Sequence, residues 1–163
     1  MTRLRPVEAR DIEQLRLWRN DSALNLAFRT VIPLSEHAQI GWFERISQPT
    51  PPDIMFAIEA DARLVGCAGL CYVDWIHRNA EVSLYLGDDK APTETGRDAC
   101  IFLKDFAFQR LGLHKLYCEV FDREDWRIRY FKLMGMREAG RYTKHRWVNG
   151  EWVDSILLEI LNV

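Results

Sequence analysis

No apolar run in this sequence approaches the roughly 18 residues needed to span a bilayer as a helix, so no membrane-spanning helix is expected. The opening residues, Met-Thr-Arg-Leu-Arg-Pro, carry no apolar segment of the kind that directs secretion, and a cytoplasmic protein is expected. An excess of either charge is also missing. With 22 Lys and Arg against 24 Asp and Glu, the net charge is −2, which argues against nucleic-acid or anionic-membrane partners. Cysteine is sparse, four residues in all. Cys67 and Cys71 stand four apart in an apolar stretch, with no second Cys or His pair at zinc spacing, so they read as reduced core thiols and no metal site is expected. There is neither an internal repeat nor a low-complexity segment.

What the chain does have is enough apolar residue, 48% of 163, to bury one substantial core, and residues 1–163 read as a single domain. Residues 2–6 suit a short strand. Asp11 stands where it can cap a helix that turns Ile12 and Leu15 inward and ends near Asn20. Ser35 suits the N-cap of a second helix with Ile40, Phe43 and Ile46 on one stripe, stopped by Gln48-Pro49-Thr50-Pro51-Pro52. From Ile54 the period changes to two. Strands are predicted over 54–59, 64–75 and 80–86, with turns at 60–62 and 77–79. In the third of these, Ala80, Val82, Leu84 and Leu86 alternate with Glu81, Ser83 and Tyr85, one set for the core and the other for a polar lining.

The polar loop 87–94 leads into a helix with Ala99, Phe102, Leu103 and Phe106 at helical spacing, ending near Gly112, and Thr95 with Asp98 has the form of a capping box. Leu116 to Phe121 reads as a buried strand. Asp122 or Asp125 is placed to cap a short helix bearing Ile128 and Phe131 and closed by Gly135. Two last strands, near 136–147 and 152–161, are joined at Asn149-Gly150.

This order of elements resembles the GNAT N-acetyltransferase superfamily across nearly the whole chain. The resemblance is carried by Leu17-Trp18-Arg19-Asn20, Leu64-Val65-Gly66, Ala80 to Gly87, Phe106-Ala107-Phe108 with Leu111-Gly112-Leu113, and Ile128 to Met136. The Trp-Arg-Asn helix and the late Asn-Gly turn resemble the branch with ribosomal-protein N-terminal and amino-sugar acetyltransferases. The fold implied is α/β (α+β): a mixed, mostly antiparallel sheet of about seven strands, splayed between strands 4 and 5, with about four helices.

The resemblance implies acetyl-CoA as co-substrate and a primary amine as acceptor, whether a protein α-amine, an amino sugar or a small amine. A homodimer is a further implied property. Leu84, Tyr85 and Leu86 would meet the pantetheine arm and thioester through backbone groups; Thr93, Thr95, Gly96 and Arg97 would meet the diphosphate at a helix N-terminus; and Phe131 would line the cleft. The loop Ala91 to Gly96 departs from the family pattern, keeping only the last glycine, with Pro92 lacking an amide donor and Glu94 adding a carboxylate.

An attacking ammonium must lose a proton, and Glu81 is the candidate base, against the alternative of a strand glutamate paired to Arg78 or to a neighbouring strand. The slot where relatives place a tyrosine acid holds Phe131, with Tyr130 one residue earlier as the remaining candidate acid. Trp18, Arg19, Asn20, Arg29, His37, Trp42, Tyr72 and Trp75 are candidate acceptor-site residues, with core packing as the alternative for Trp18 and Trp42 and a surface or helix-cap position as the alternative for His37. A non-catalytic binding domain on the same fold is the competing reading, supported by the altered loop and by Phe131.

Overall fold

The computed structural model describes residues 1–163, and the segments of two-residue alternation form one seven-stranded sheet. Its strands are β1 Thr2–Pro6, β2 Ile54–Ala60, β3 Arg63–Asp74, β4 Asn79–Leu86, β5 Lys115–Phe121, β6 Arg137–Val148 and β7 Glu151–Leu161. They lie in the order β1-β2-β3-β4-β5-β7-β6, antiparallel except for β4 against β5. That parallel pair is short. It holds only Asn79–Lys115, Ala80–Leu116 and Glu81–Tyr117, after which the two strands part.

Five α-helices complete the fold, α1 Ile12–Asn20, α2 Ser22–Asn25, α3 Glu36–Ile46, α4 Thr95–Asp105 and α5 Asp125–Leu133, and a π-helical segment Phe106–Arg110 carries α4 on toward Gly112. None is long and apolar enough to cross a membrane. Neighbouring strand residues point to opposite faces, and the core divides accordingly. Ala68, Val82 and Leu84 join a large cluster with Leu103 of α4 and Phe131 of α5, while Cys67 and Tyr85 join a smaller one with Leu15 of α1 and Phe28. Cys67, Cys100 and Cys118 are buried and all four cysteines are free, as expected of reduced thiols.

Several local expectations are corrected. Asp11 makes no cap; its carboxylate takes Arg5 at 2.7 and 3.0 Å and the Glu8 amide at 2.8 Å instead. The capping box at Thr95 and Asp98 is absent, because Glu94 holds the N-cap position and Thr95 is buried within the first turn. Glu124, rather than Asp122 or Asp125, precedes α5. On α3 the buried residue is Gln39, which donates to the Ile12 carbonyl at 3.0 Å, and Ile40 is exposed. Helix α2 was unforeseen, since four residues carry no readable period; Asp21 caps it through the Ala23 and Leu24 amides. Ser35 does cap α3, and its hydroxyl accepts from the Ala38 amide at 3.1 Å. The β6–β7 turn also forms at Asn149 and Gly150, both at positive φ (48° and 87°) as a type I′ hairpin requires.

Candidate active site

Where β4 and β5 part, a cavity of about 450 Å³ opens between them, lined by Glu81 to Tyr85 on one side and Cys118 to Phe121 on the other, with Phe131 beneath. Beyond Glu81 no strand pairs β4 on that side, so its outward backbone groups have no ladder partner. A second cavity of about 560 Å³ adjoins the first, sharing Arg19, Asp53, Cys71, Ser83 and Tyr85, and is walled by His37 and Trp42 of α3.

The site is dense in charge. Glu81 is 5% exposed, and its Oε1 accepts from Arg29 Nη2 at 2.5 Å, while Oε2 takes no hydrogen bond. Arg78, the partner considered from sequence, bonds the Gly112 carbonyl instead. Arg29 also reaches Glu119 at 3.3 Å, and Arg146 grips Glu119 through two bonds of 2.8 and 2.9 Å, with the Ser155 hydroxyl at 2.7 Å. The Arg146 bonds, helped by Ser155 and Arg29, hold the Glu119 carboxyl down to about 2 against the opposing effect of burial.

Deeper in, Glu124 and Arg127 form a buried pair at 2.8 Å. Burial pushes the Glu124 carboxyl up and the Arg127 guanidinium down, each opposed by the charge of the other. Arg127 also donates to the Ala27 carbonyl at 3.1 Å, which ties α5 to the segment carrying Phe28 and Arg29. Cys71 lines the cleft, but burial first, then Asp53 and Glu81, pushes its thiol up to about 12. It remains a thiol near neutral pH and is a poor nucleophile.

The sequence candidates fall into three groups. Glu81, Arg29, Tyr72, Leu84, Tyr85 and Phe131 line the first cavity, and His37 lines the second. Thr93, Thr95, Gly96 and Arg97 lie together at the start of α4, where the Gly96 and Arg97 amides donate to no backbone carbonyl. Thr95 Oγ1 is buried without a partner, and the Arg97 guanidinium turns to Asp98 at 2.9 Å. The remaining candidates have other duties. Trp18 packs its indole against Gly87, Asn20 holds the Leu34 amide and carbonyl at 2.8 and 2.9 Å, and Trp75 sits half-exposed in a turn. Leu86 packs against the large core cluster. Tyr130 gives its hydroxyl to the Thr93 carbonyl at 3.1 Å and does not line the cleft. Its ring covers Gly96 so closely that a Cβ there would come within 2.6 Å.

Asp53, Glu119, Arg127, Arg146 and Ser155 were not anticipated. One signal for Glu119 was available: a charged residue in the middle of an otherwise buried strand, two positions beyond the Glu81–Tyr117 pair. The others come from a loop, helix α5 and strands β6 and β7, far apart in sequence.

Residues 4–157 match the acetyltransferase (GNAT) domain family, and the chain belongs to it. Among individual proteins it is similar to the spermidine N(1)-acetyltransferase of Vibrio cholerae, 26% identical over 107 residues, which are 65% of this chain and 62% of that protein. It is also similar to the Bacillus subtilis probable N-acetyltransferase YjcK, 32% identical over 107 residues, 63% of this chain and 58% of that protein. The matched region thus spans about three fifths of these relatives. The solved structure of the Vibrio cholerae spermidine N-acetyltransferase in complex with CoA and spermine superposes with a TM-score of 0.90 at 21% identity, covering 98% of this chain and 95% of that one. At this level of identity the superposition speaks to the fold alone. The relatives named for an acceptor are named for spermidine, rather than for a ribosomal protein or an amino sugar.

Proposed function

We propose that this domain transfers an acetyl group from acetyl-CoA to a primary amine by direct attack within a ternary complex. The observation that carries this reading is the gap between β4 and β5 in a chain of the acetyltransferase family. An extended amide-bearing arm such as pantetheine satisfies backbone groups there as a missing strand would. Amides along Leu84 to Leu86 would then stabilise the charge that develops on the thioester oxygen. At the other end the free Gly96 and Arg97 amides and the dipole of α4 suit a diphosphate, while Pro92 and Glu94 weaken that seat. The Vibrio cholerae protein, solved with CoA on the same fold, supports this assignment.

Glu81 is the proposed base, taking the proton from the ammonium directly or through water, with Oε2 as the free oxygen. Tyr130 bonds Thr93 and stands outside the cleft, so departure of the thiolate is assigned no dedicated acid; a free thiol pKa near 8.5 makes that leaving group tolerable. The inert Cys71 favours direct attack over an acyl-cysteine route. Spermidine, the acceptor named for the relatives, is the first amine to assay. A homodimer belongs to the same proposal, because β6 and β7 leave Tyr142, Trp147 and Trp152 exposed. Sedimentation as a monomer at all concentrations would count against it.

The test is the thermal midpoint with and without acetyl-CoA, followed by thiol release with amines. At about 100 Kd the ligand adds roughly 2.7 kcal/mol. A shift and amine-dependent thiol release are expected. No shift at millimolar ligand and no release would leave a binding domain that has kept only the fold.

A further inference from the structure

Resting on the acetyltransferase reading, we propose that the acceptor amine also carries an anionic oxygen group, which Arg19 binds. Nine charged residues line the two joined cavities: Arg19, Arg29, Arg45, Arg127 and Arg146 against Asp53, Glu81, Glu119 and Glu124. Most of these charges cancel internally. Arg29 spans Glu81 and Glu119, Arg146 holds Glu119, and Arg127 holds Glu124. Three remain without an ion-pair partner. Arg45 is on the exposed flank of the second cavity, whereas Arg19 and Asp53 line both cavities at their junction.

Arg19 is fixed without being satisfied. Its guanidinium lies 4.4 Å from the centroid of the Phe28 ring, and that ring packs edge-on against Tyr85 at 5.3 Å. The guanidinium carbon sits over the ring face, and the five guanidinium donors make no hydrogen bond or ion pair within the protein. A planar fork with open donors at the wall of a ligand cavity matches a carboxylate or a phosphate. Asp53 keeps the site from being a plain anion trap. Its Oδ1 accepts from the Tyr72 amide at 2.9 Å, and Oδ2 has no partner, so one carboxylate oxygen remains for an ammonium.

A polyamine needs the opposite lining, a series of carboxylates without their own cations. Here both acidic strand residues, Glu81 and Glu119, are already held by arginines.

The experiment compares matched acceptors by thiol release at saturating acetyl-CoA: L-amino acids against their carboxamides, glucosamine 6-phosphate against glucosamine, and spermidine. In at least one pair the anionic member is expected to exceed both its neutral partner and spermidine at least tenfold in kcat/KM, and which pair responds distinguishes carboxylate from phosphate. Arg19→Gln should lower kcat/KM for the anionic member at least tenfold more than for the neutral one, with Arg19→Lys recovering part of the preference. Retention of the acetyl-CoA thermal shift confirms that the variant is folded; if it is not, the wild-type ratios decide alone. Spermidine or neutral amines equal to the anionic members, or an Arg19→Gln loss shared equally by both, overturns the proposal and leaves acetyl transfer standing. No thiol release with any amine overturns both.

Discussion

The two ends of the cleft are built differently. At the end proposed for the acceptor, side chains from five places in the chain hold one another: Arg29 from the loop after α2, Glu81 from β4, Glu119 from β5, Arg146 from β6 and Ser155 from β7. At the α4 end, side chains turn aside, Arg97 to Asp98 and Tyr130 to the Thr93 carbonyl, and what faces outward is backbone amide. The first end depends on residue identity and the second mainly on the direction of a helix. Substitutions should therefore cost much at one end and little at the other.

The largest effect is expected from Arg127→Ala, which strands Glu124 in the interior and releases the Ala27 carbonyl. Chemical denaturation should show a loss of about 3 kcal/mol, as for other broken buried pairs. A loss within that of an ordinary surface substitution would show that the acceptor end does not depend on this pair. Next is Glu81→Gln, expected to leave the fold intact and to cut kcat at least about tenfold at neutral pH, within the usual range for general-base loss. Unchanged kinetics would remove Glu81 from the mechanism.

At the α4 end, Glu94→Gln removes an exposed carboxylate near the diphosphate seat and should tighten acetyl-CoA only about threefold, the scale of a surface charge. Calorimetric titration checks this, and a hundredfold gain would erase the contrast between the ends. The last effect concerns acid and returns to the first end of the cleft. Glu119 has a folded pKa of about 2, below the ordinary glutamate value near 4.5, so its contribution is complete above about 4.5 and lost as pH falls through 2. Thermal midpoints of wild type and Arg146→Gln should differ at pH 6 and converge toward pH 2. A gap that persists at pH 2 would mean that Arg146 acts through packing.

The same division governs what could be read from sequence. The alternation in β4, the Ser35 cap and the Asn149-Gly150 turn are local, and each forms as expected. Where two local options competed, tertiary contact chose between them: Asp11 abandons its helix for Arg5, and Gln39 displaces Ile40 from the buried face of α3. Phe131, Leu84 and Tyr85 were legible because the pattern of their elements places them, and Glu81 because it is charged on a buried strand. Asp53, Arg127 and Arg146 were not, since no spacing rule links residues that meet only once the sheet is assembled. Trp18 and Asn20 were legible as a motif but turn out to pack and brace, against Gly87 and Leu34.

The bonds that hold the segment around Phe28 and Arg29 have a consequence for assembly. Arg29 reaches Glu81 across 52 residues and Glu119 across 90, and Arg127 reaches the Ala27 carbonyl across 100. Loop closure of that length must be met before such contacts yield anything, so they form late in a chain that folds from near neighbours outward. Hairpins such as β2–β3 and β6–β7 close across two intervening residues and carry little of that cost. By this argument a nascent or partly unfolded chain holds its sheet before it holds this wall of the cleft, and the wall depends on the rest of the fold being in place.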